Sequence, residues 1–269
     1  MPPKSAPADT AVVRVTGEDA AAFLQGQCSA DLRNTPLSDA LWLNRKGRVL
    51  AHTVIAKEAD GSFLLLCPHL PAEELIAIVT ANVIADDVVA TDQSAQWQRA
   101  VVWGEISIEA LAGVRVFSTE RFGVPAWDVL APVEAKLPWP TGEFAELDVI
   151  RISAGVPSVP ADCGAHEFPQ ECGLDAWVSY TKGCYLGQEV MARIQSMGSL
   201  RRILRKVSGL VSVGQELKSP EGKVVGTVRS AAGDTGLALV SVDLPEGTSL
   251  VTDRGPVLLG VLALMPARA

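Results

Sequence analysis

The 269-residue chain contains no GxGxxG, no P-loop and no G-x-S-x-G. The usual dinucleotide, nucleoside-triphosphate and serine-hydrolase signatures are therefore excluded. It also has no paired cysteines. Cys28, Cys67, Cys163, Cys172 and Cys184 are odd in number and scattered, with no CxxC, as expected of reduced thiols in a reducing compartment. No long apolar run is present: Pro256 to Pro266 is too short for a bilayer span and is broken by Gly260. The first ten residues, MPPKSAPADT, hold one lysine and no apolar core, so neither a secretory signal nor an Arg-rich transit peptide is read there, and a cytoplasmic location is expected. Positive charge is in deficit, 23 Lys and Arg against 31 Asp and Glu, for a net charge of −8. That balance opposes broad attraction to nucleic acid or to anionic lipid. Neither a nucleic acid nor a membrane is expected as a direct partner, and an anionic ligand would need a local basic cluster.

What is present is enough apolar material, 48% of residues, to bury a substantial core in two or three packed domains. Ala11 to Val15 reads as a strand and Gly17 to Gln27 as a helix, with Thr16 and Asp19 spaced as a capping pair and Phe23 and Leu24 facing the core. Two strands follow around Asn44-Arg45-Lys46-Gly47, then a buried strand at Ser62 to Cys67, a helix from near Pro71 and a strand at Asp87 to Thr91. This mixture indicates an α+β unit of the ferredoxin-like, split-βαβ kind over residues 1–95. Residues 96–200 repeat it more loosely, with strands at Ala100 to Trp103 and Val114 to Phe117 and a helix at Gly142 to Ser153. The loop from Gly155 to Gly173 is long enough to be either functional or disordered. Residues 201–269 change character to short Val- and Leu-rich strands between glycine turns, the pattern of a small C-terminal β-barrel.

The segment carrying the most chemistry is Lys182-Gly183-Cys184-Tyr185-Leu186-Gly187-Gln188-Glu189, ahead of an amphipathic helix with Val190, Met191 and Ile194 on one side. A cysteine at or just before a helix N-terminus, two residues from a lysine, sits where thiolate is favoured. Gly183 and Gly187 would let backbone N–H groups approach a ligand. The ordinary reading stands beside this one: cysteines are often buried as small hydrophobes, Lys182 can be solvated, and Glu189 can form a helical ion pair with Arg193. Arg193, Arg201, Arg202, Arg205 and Lys206 form a basic run that is either a solvated face or a receptor for a polyanion such as a glutamylated tail. Cys163, His166 and Cys172 share one loop but lack the paired short spacings of a structural zinc site, and no metal site is expected. A Cys184 and His166 nucleophile–base pair is a further possibility that spacing alone leaves open.

On these residues the chain resembles the YgfZ family of folate-binding proteins, relatives of the glycine-cleavage T-protein (aminomethyltransferase). The most specific element is KGCYLGQE at Lys182 to Glu189, supported by FLQGQ at Phe23 to Gln27, NRKGR at Asn44 to Arg48, RISAGVP at Arg151 to Pro157 and FPQE at Phe168 to Glu171. The resemblance implies a T-protein-like three-domain ring around a central cavity that binds tetrahydrofolate or another reduced folate. It implies Cys184 and Lys182 as the reactive pair, and Gly183, Tyr185, Gln188, Glu189, Arg193, Glu171 and Asn44 as cofactor-binding residues. It also implies iron–sulfur client proteins as partners, in assembly or maintenance of enzymes that include tRNA-modifying ones. The alternative is a folate-dependent one-carbon transferase like the T-protein. The aspartate that the T-protein uses has no counterpart in Gly47-Arg48-Val49-Leu50-Ala51-His52, and its pterin-contacting glutamate is replaced by Ser153.

Overall fold

The computed structural model describes residues 1–106, 112–198 and 200–264. The chain begins with a short strand, β1 (Lys4–Pro7), followed by β2 (Ala11–Thr16), helix α1 (Ala20–Gln27), β3 (Leu37–Leu43), β4 (Val49–Lys57), β5 (Phe63–Cys67), α2 (Ala72–Thr80) and β6 (Val89–Asp92). Strands β3-β4-β5-β2-β6, in that order, form one antiparallel sheet. Successive side chains on a strand point to opposite faces, and here both faces are covered. Val13 and Val15 of β2 turn to the helices, where they join Phe23, Leu24, Leu65, Leu75 and Val79. Val12 turns to the other face and packs with Val54, Leu64 and Leu66 against Phe117 and Leu130 of the next sheet. Burial on both faces explains the continuous apolar run FLLLC at β5.

Helix α1 starts three residues later than its sequence suggests. Gly17 has φ +123°, outside the helical region, and a Cβ there would fall 1.9 Å from the Asp87 carbonyl oxygen. Asp19 makes no side-chain cap of its own helix. Its carboxylate instead accepts the backbone N–H of Asp87 at 2.8 Å, tying the helix entry to the loop before β6.

The second sheet has the order β1-β7-β9-β8, with β7 (Trp97–Trp103), β8 (Arg115–Thr119) and β9 (Ala126–Pro132). Two of its strands were not read from sequence. β1 is four residues ending in proline, and β9 is interrupted by the buried Asp128, which pairs with the Arg121 guanidinium at 2.5 Å. Helix α3 (Phe144–Ala154) packs Leu147 against Trp103 and Phe122 and stops at Gly155, whose φ of +76° is the left-handed conformation of a helix C-cap.

The long connection after Gly155 is an ordered cover for the β3–β4 hairpin. It contains 3₁₀ turns at Pro169–Cys172 and Asp175–Trp177 and leads to α4 (Gln188–Met197). Cys163, Cys172, Leu174, Trp177, Tyr185, Met191 and Ile194 pack on Leu41, Leu43 and Val49. At about 1.5–3 kcal/mol for each fully buried large apolar side chain, this contact is a substantial part of what joins the segment to the first sheet. The C-terminal unit is a closed barrel of β10 (Arg202–Ser208), β11 (Glu216–Lys218), β12 (Val224–Ala232), β13 (Thr235–Ser241), β14 (Ser249–Thr252) and β15 (Gly255–Leu262), filled by Val207, Leu217, Val228, Val240, Leu250 and Leu259. Among the described residues, no helix is long and apolar enough to cross a membrane.

Candidate functional site

The residues singled out in the sequence meet at one junction. Helix α4 begins at Gln188 with Gly187 as its N-cap, so Cys184 lies in the turn ahead of the helix rather than on its first residue. Gly187, at φ +85°, leaves no room for a side chain: a Cβ would sit 3.1 Å from the Asn44 carbonyl oxygen and 3.4 Å from Gly47 Cα. Gly47 meets α4 in return, its absent Cβ lying 2.7 Å from Met191 Cε. Asn44 shapes the facing turn, its Oδ1 accepting the backbone N–H groups of Lys46 (2.8 Å) and Arg48 (3.1 Å). Arg48 then reaches the covering loop, stacking 3.5 Å from the Phe168 ring centroid and donating to the His166 carbonyl (2.8 Å) and to Glu171 Oε2 (3.2 Å). Glu171 is buried, accepts the Phe168 N–H at 2.9 Å and faces Arg202 of the barrel at 3.4 Å. Leu186 N–H donates to the Gly26 carbonyl at 3.1 Å, which brings the FLQGQ helix into the same joint.

Within this joint the reactive pair separates. Cys184 is exposed, whereas the other four thiols are buried. Lys182 is buried, and its Nζ donates to the carbonyl oxygens of Cys28 (2.8 Å) and Ala30 (2.5 Å). Burial draws its pKa below the ordinary lysine value, opposed in part by the nearby Asp31. The expected support of a Cys184 thiolate by Lys182 is therefore replaced by a structural role, because the ammonium completes two buried carbonyls. Tyr185 is buried with its hydroxyl unpartnered and its ring 5.0 Å from Lys182 Nζ. Gly183 is exposed at φ +99° with open space on its Cβ side. Glu189 and Arg193 form an exposed ion pair at 2.9 Å. The basic run is dispersed: Arg205 is buried, donating to the Gly260 and Leu244 carbonyls, Lys206 donates to the Ser153 carbonyl, and Arg201 and Arg202 face a groove on the barrel. His166 is exposed while Cys163 and Cys172 are buried, and burial together with the neighbouring Cys172 pushes the Cys163 thiol well up.

A second site lies apart from these residues; the family resemblance implied a central cavity, but its lining residues were not read from sequence. A cavity of about 420 Å³ opens where the first sheet, the second unit and the barrel meet. None of the nine residues singled out above lines it. Its wall takes His52 and His69 from the first unit, Arg121, Phe122, Asp148, Arg151 and Trp177 from the second, and Arg229 and Ser230 from the barrel. His52 stacks on Trp177 with ring centroids 4.0 Å apart and an interplanar angle of 11°, and its Nε2 lies 2.9 Å from Asp39 Oδ1. Burial lowers the His52 pKa below its ordinary value against the pull of Asp39, so a neutral ring donates Nε2–H to the carboxylate. His69 is pulled down to about 3 by burial, with His52 and Arg121 adding to the effect.

Arg151, from RISAGVP, ties the wall together. Its guanidinium donates to Asp162 Oδ2 (2.6 Å), the Val156 carbonyl (3.0 Å), Ser230 Oγ (3.1 Å) and Asp148 Oδ1 (2.9 Å). Ser230 Oγ completes the network by donating to Asp162 Oδ1 at 2.7 Å. Every strong donor of this network is satisfied within the protein, which fixes the wall. Two donors are left over: Trp177 Nε1 and Arg229 Nε are buried without a partner. A concave, largely apolar site with a few convergent polar groups is the usual form of a small-molecule pocket. The lining comes from short pieces scattered along the chain. Arg151, Ile152 and Pro157 belong to RISAGVP, and Pro157, Ser158, Val159 and Ala161 to the long loop after Gly155, but nothing in those stretches pointed to the partners they meet here. Three scarce histidines, two of them in this wall, were the other available signal.

The barrel matches the family model described as CAF17, C-terminal beta-barrel domain, over residues 191–266. The chain is 26% identical over 224 residues to the tRNA-modifying protein YgfZ of Colwellia psychrerythraea, covering 71% of this chain and 67% of that one. It is 27% identical over 306 residues to the mitochondrial iron–sulfur cluster assembly factor IBA57 of Mus musculus, covering 95% and 82%. In fold it matches the crystal structure of the glycine cleavage system aminomethyltransferase T from Bartonella henselae, with a TM-score of 0.82 and 16% identity over 97% of this chain and 86% of that one.

Proposed function

This chain belongs to the family of the YgfZ and IBA57 proteins, and from that premise we propose that it binds a reduced folate in the three-way cavity and assists the assembly or maintenance of iron–sulfur enzymes, tRNA-modifying ones among them. The relatives' names support the broader role in iron–sulfur cluster assembly or tRNA modification. The observation that carries the folate reading is the cavity itself, placed where three units meet in a T-protein-like fold.

The residues present fit such a ligand. The volume of about 420 Å³ falls in the range of small-molecule pockets. Phe122, Phe144 and Ile152 offer apolar surface to a ring system. Trp177 Nε1, buried and unpartnered, supplies a donor for a ring carbonyl or nitrogen, and Arg229 supplies charge for a carboxylate. A reduced folate, when bound, supplies a one-carbon carrier and a reductant. The chain's own contribution is to hold the ring against the Trp177 wall, where His52, anchored by Asp39, stacks on that indole. A transferase would need a proton acceptor beside the reacting nitrogen. The carboxylate on this wall, Asp148, already accepts Arg151 Nε at 2.9 Å, which favours the accessory reading.

Calorimetric titration with tetrahydrofolate tests this directly. We expect saturable one-site heat from the native protein and none from Ala161→Trp, which fills the cavity without removing a hydrogen bond. The same variant should fail to restore iron–sulfur enzyme activity in cells lacking the protein. No heat from folded native protein would sink the folate reading and leave a protein acting through partner contacts alone.

A further inference from the structure

The barrel carries a basic groove that shares a residue with the cavity. It has a volume of about 320 Å³ and is lined by Arg201, Arg202, Lys223 and Arg229 with the hydroxyl-bearing Thr227 and Ser241, and no carboxylate lines it. This is unexpected on a chain of net charge −8. Arg229, on β12, belongs to the walls of both the cavity and the groove. Its guanidinium is held from behind by Glu167, and Arg202 is held in the same way by Glu171 at 3.4 Å. Arg201 and Lys223 have no ionic partner among the described residues, and both side chains are exposed. The groove thus has two anchored cations, one of them Arg229 at the cavity, and two unpaired ones.

We propose that this groove holds the oligo-γ-glutamyl tail of the cavity ligand, an inference that rests on the folate reading above. A γ-linked tail presents one carboxylate per residue along a narrow chain, which suits a short row of separated cations. Arg229 marks the passage from ring to tail, and Arg201 with Lys223 meets the later carboxylates. A nucleic acid is the less suitable polyanion. Its affinity grows with the number of phosphates neutralised, and the surrounding negative charge works against a long track.

The test compares tetrahydrofolate monoglutamate with tetrahydrofolate pentaglutamate on the native protein and on Arg201→Gln/Lys223→Gln. Neither substituted side chain makes a side-chain hydrogen bond or ion pair to the rest of the described chain, so the variant should fold. Native protein should bind the pentaglutamate about tenfold more tightly, as expected of two or three solvent-exposed ion pairs. That advantage should disappear in the double variant and shrink at high salt, while monoglutamate affinity stays unchanged. Equal affinity of native protein for the two forms overturns the tail assignment and leaves the cavity reading standing. Failure of both forms to bind overturns the cavity reading and the tail assignment with it. A single-stranded RNA oligonucleotide that binds through Arg201 and Lys223, with no pentaglutamate advantage, would assign the groove to nucleic acid instead.

Discussion

Lys182 Nζ lies 2.8 Å from the carbonyl oxygen of Cys28, a residue 154 positions earlier in the chain, and the exposed Cys184 two residues on takes no part in that contact. The lysine holds the helix exit of the first unit to the segment that covers its sheet. Lys182→Met keeps the apolar stem but strands the Cys28 and Ala30 carbonyls. It should lower stability by about 2–3 kcal/mol, the scale of leaving buried polar groups unsatisfied. Cys184→Ala should stay within about 0.5 kcal/mol, as an exposed substitution does. Denaturant midpoints decide between them, and a reversed order would refute the structural role of the lysine.

Thiol accessibility gives an independent check. Cys28, Cys67, Cys163 and Cys172 are buried and only Cys184 is exposed, and burial pushes the Cys28 and Cys67 thiols up from their ordinary value. Brief treatment of native protein with iodoacetamide should add one label, at Cys184, and treatment of unfolded protein should add five. Early labelling of a second cysteine in folded protein would contradict the packing of the junction.

The interlocked glycines predict a steric effect. Gly187→Ala puts a methyl group 3.1 Å from a backbone oxygen at a positive φ, and Gly47→Ala drives one into Met191 and Val190. Each should cost about 1–3 kcal/mol. Gly183→Ala, with the same kind of φ but open space around it, should cost only the conformational part, about 1 kcal/mol. A thermal melt of the three variants separates strain from contact, and equal losses would show that contact contributes nothing.

Acid should weaken the fold through His69. Its unfolded value is 6.5 and burial holds the folded value at about 3. Between these, the unfolded chain binds a proton that the folded chain does not, so stability falls as pH drops from about 6.5 toward 3. His69→Gln should flatten that limb in urea titrations at pH 7 and pH 5. An unchanged slope would show that the ring is protonated in the folded protein.

Much of the local structure was legible because it depends on near neighbours. The alternation of β2, the apolar β5 and the glycine-punctuated strands after Arg202 announced themselves. Strand β9 did not, because Asp128 breaks its apolar pattern, and its pairing with Arg121, seven residues earlier, is visible only once β8 and β9 fold against each other. The start of α1 was misread because Thr16 and Asp19 have capping spacing, while the close passage of Asp87 forces Gly17 out of helical geometry.

By itself the sequence determined the α+β composition, the barrel at the C-terminal end and the short motifs that mark the family. The tertiary structure alone decided what those motifs do. KGCYLGQE, NRKGR and FPQE gather into a joint because glycines at Gly47 and Gly187 permit backbones to touch and because the charge of the buried Glu171 is met by Arg48 and Arg202 from two other units. The cavity is assembled from short pieces of three units. No spacing rule records it, since the pieces meet only in the folded chain: Arg151 is fixed by its neighbours Asp148, Val156 and Asp162, and Ser230 of the barrel, 79 residues on, joins it there.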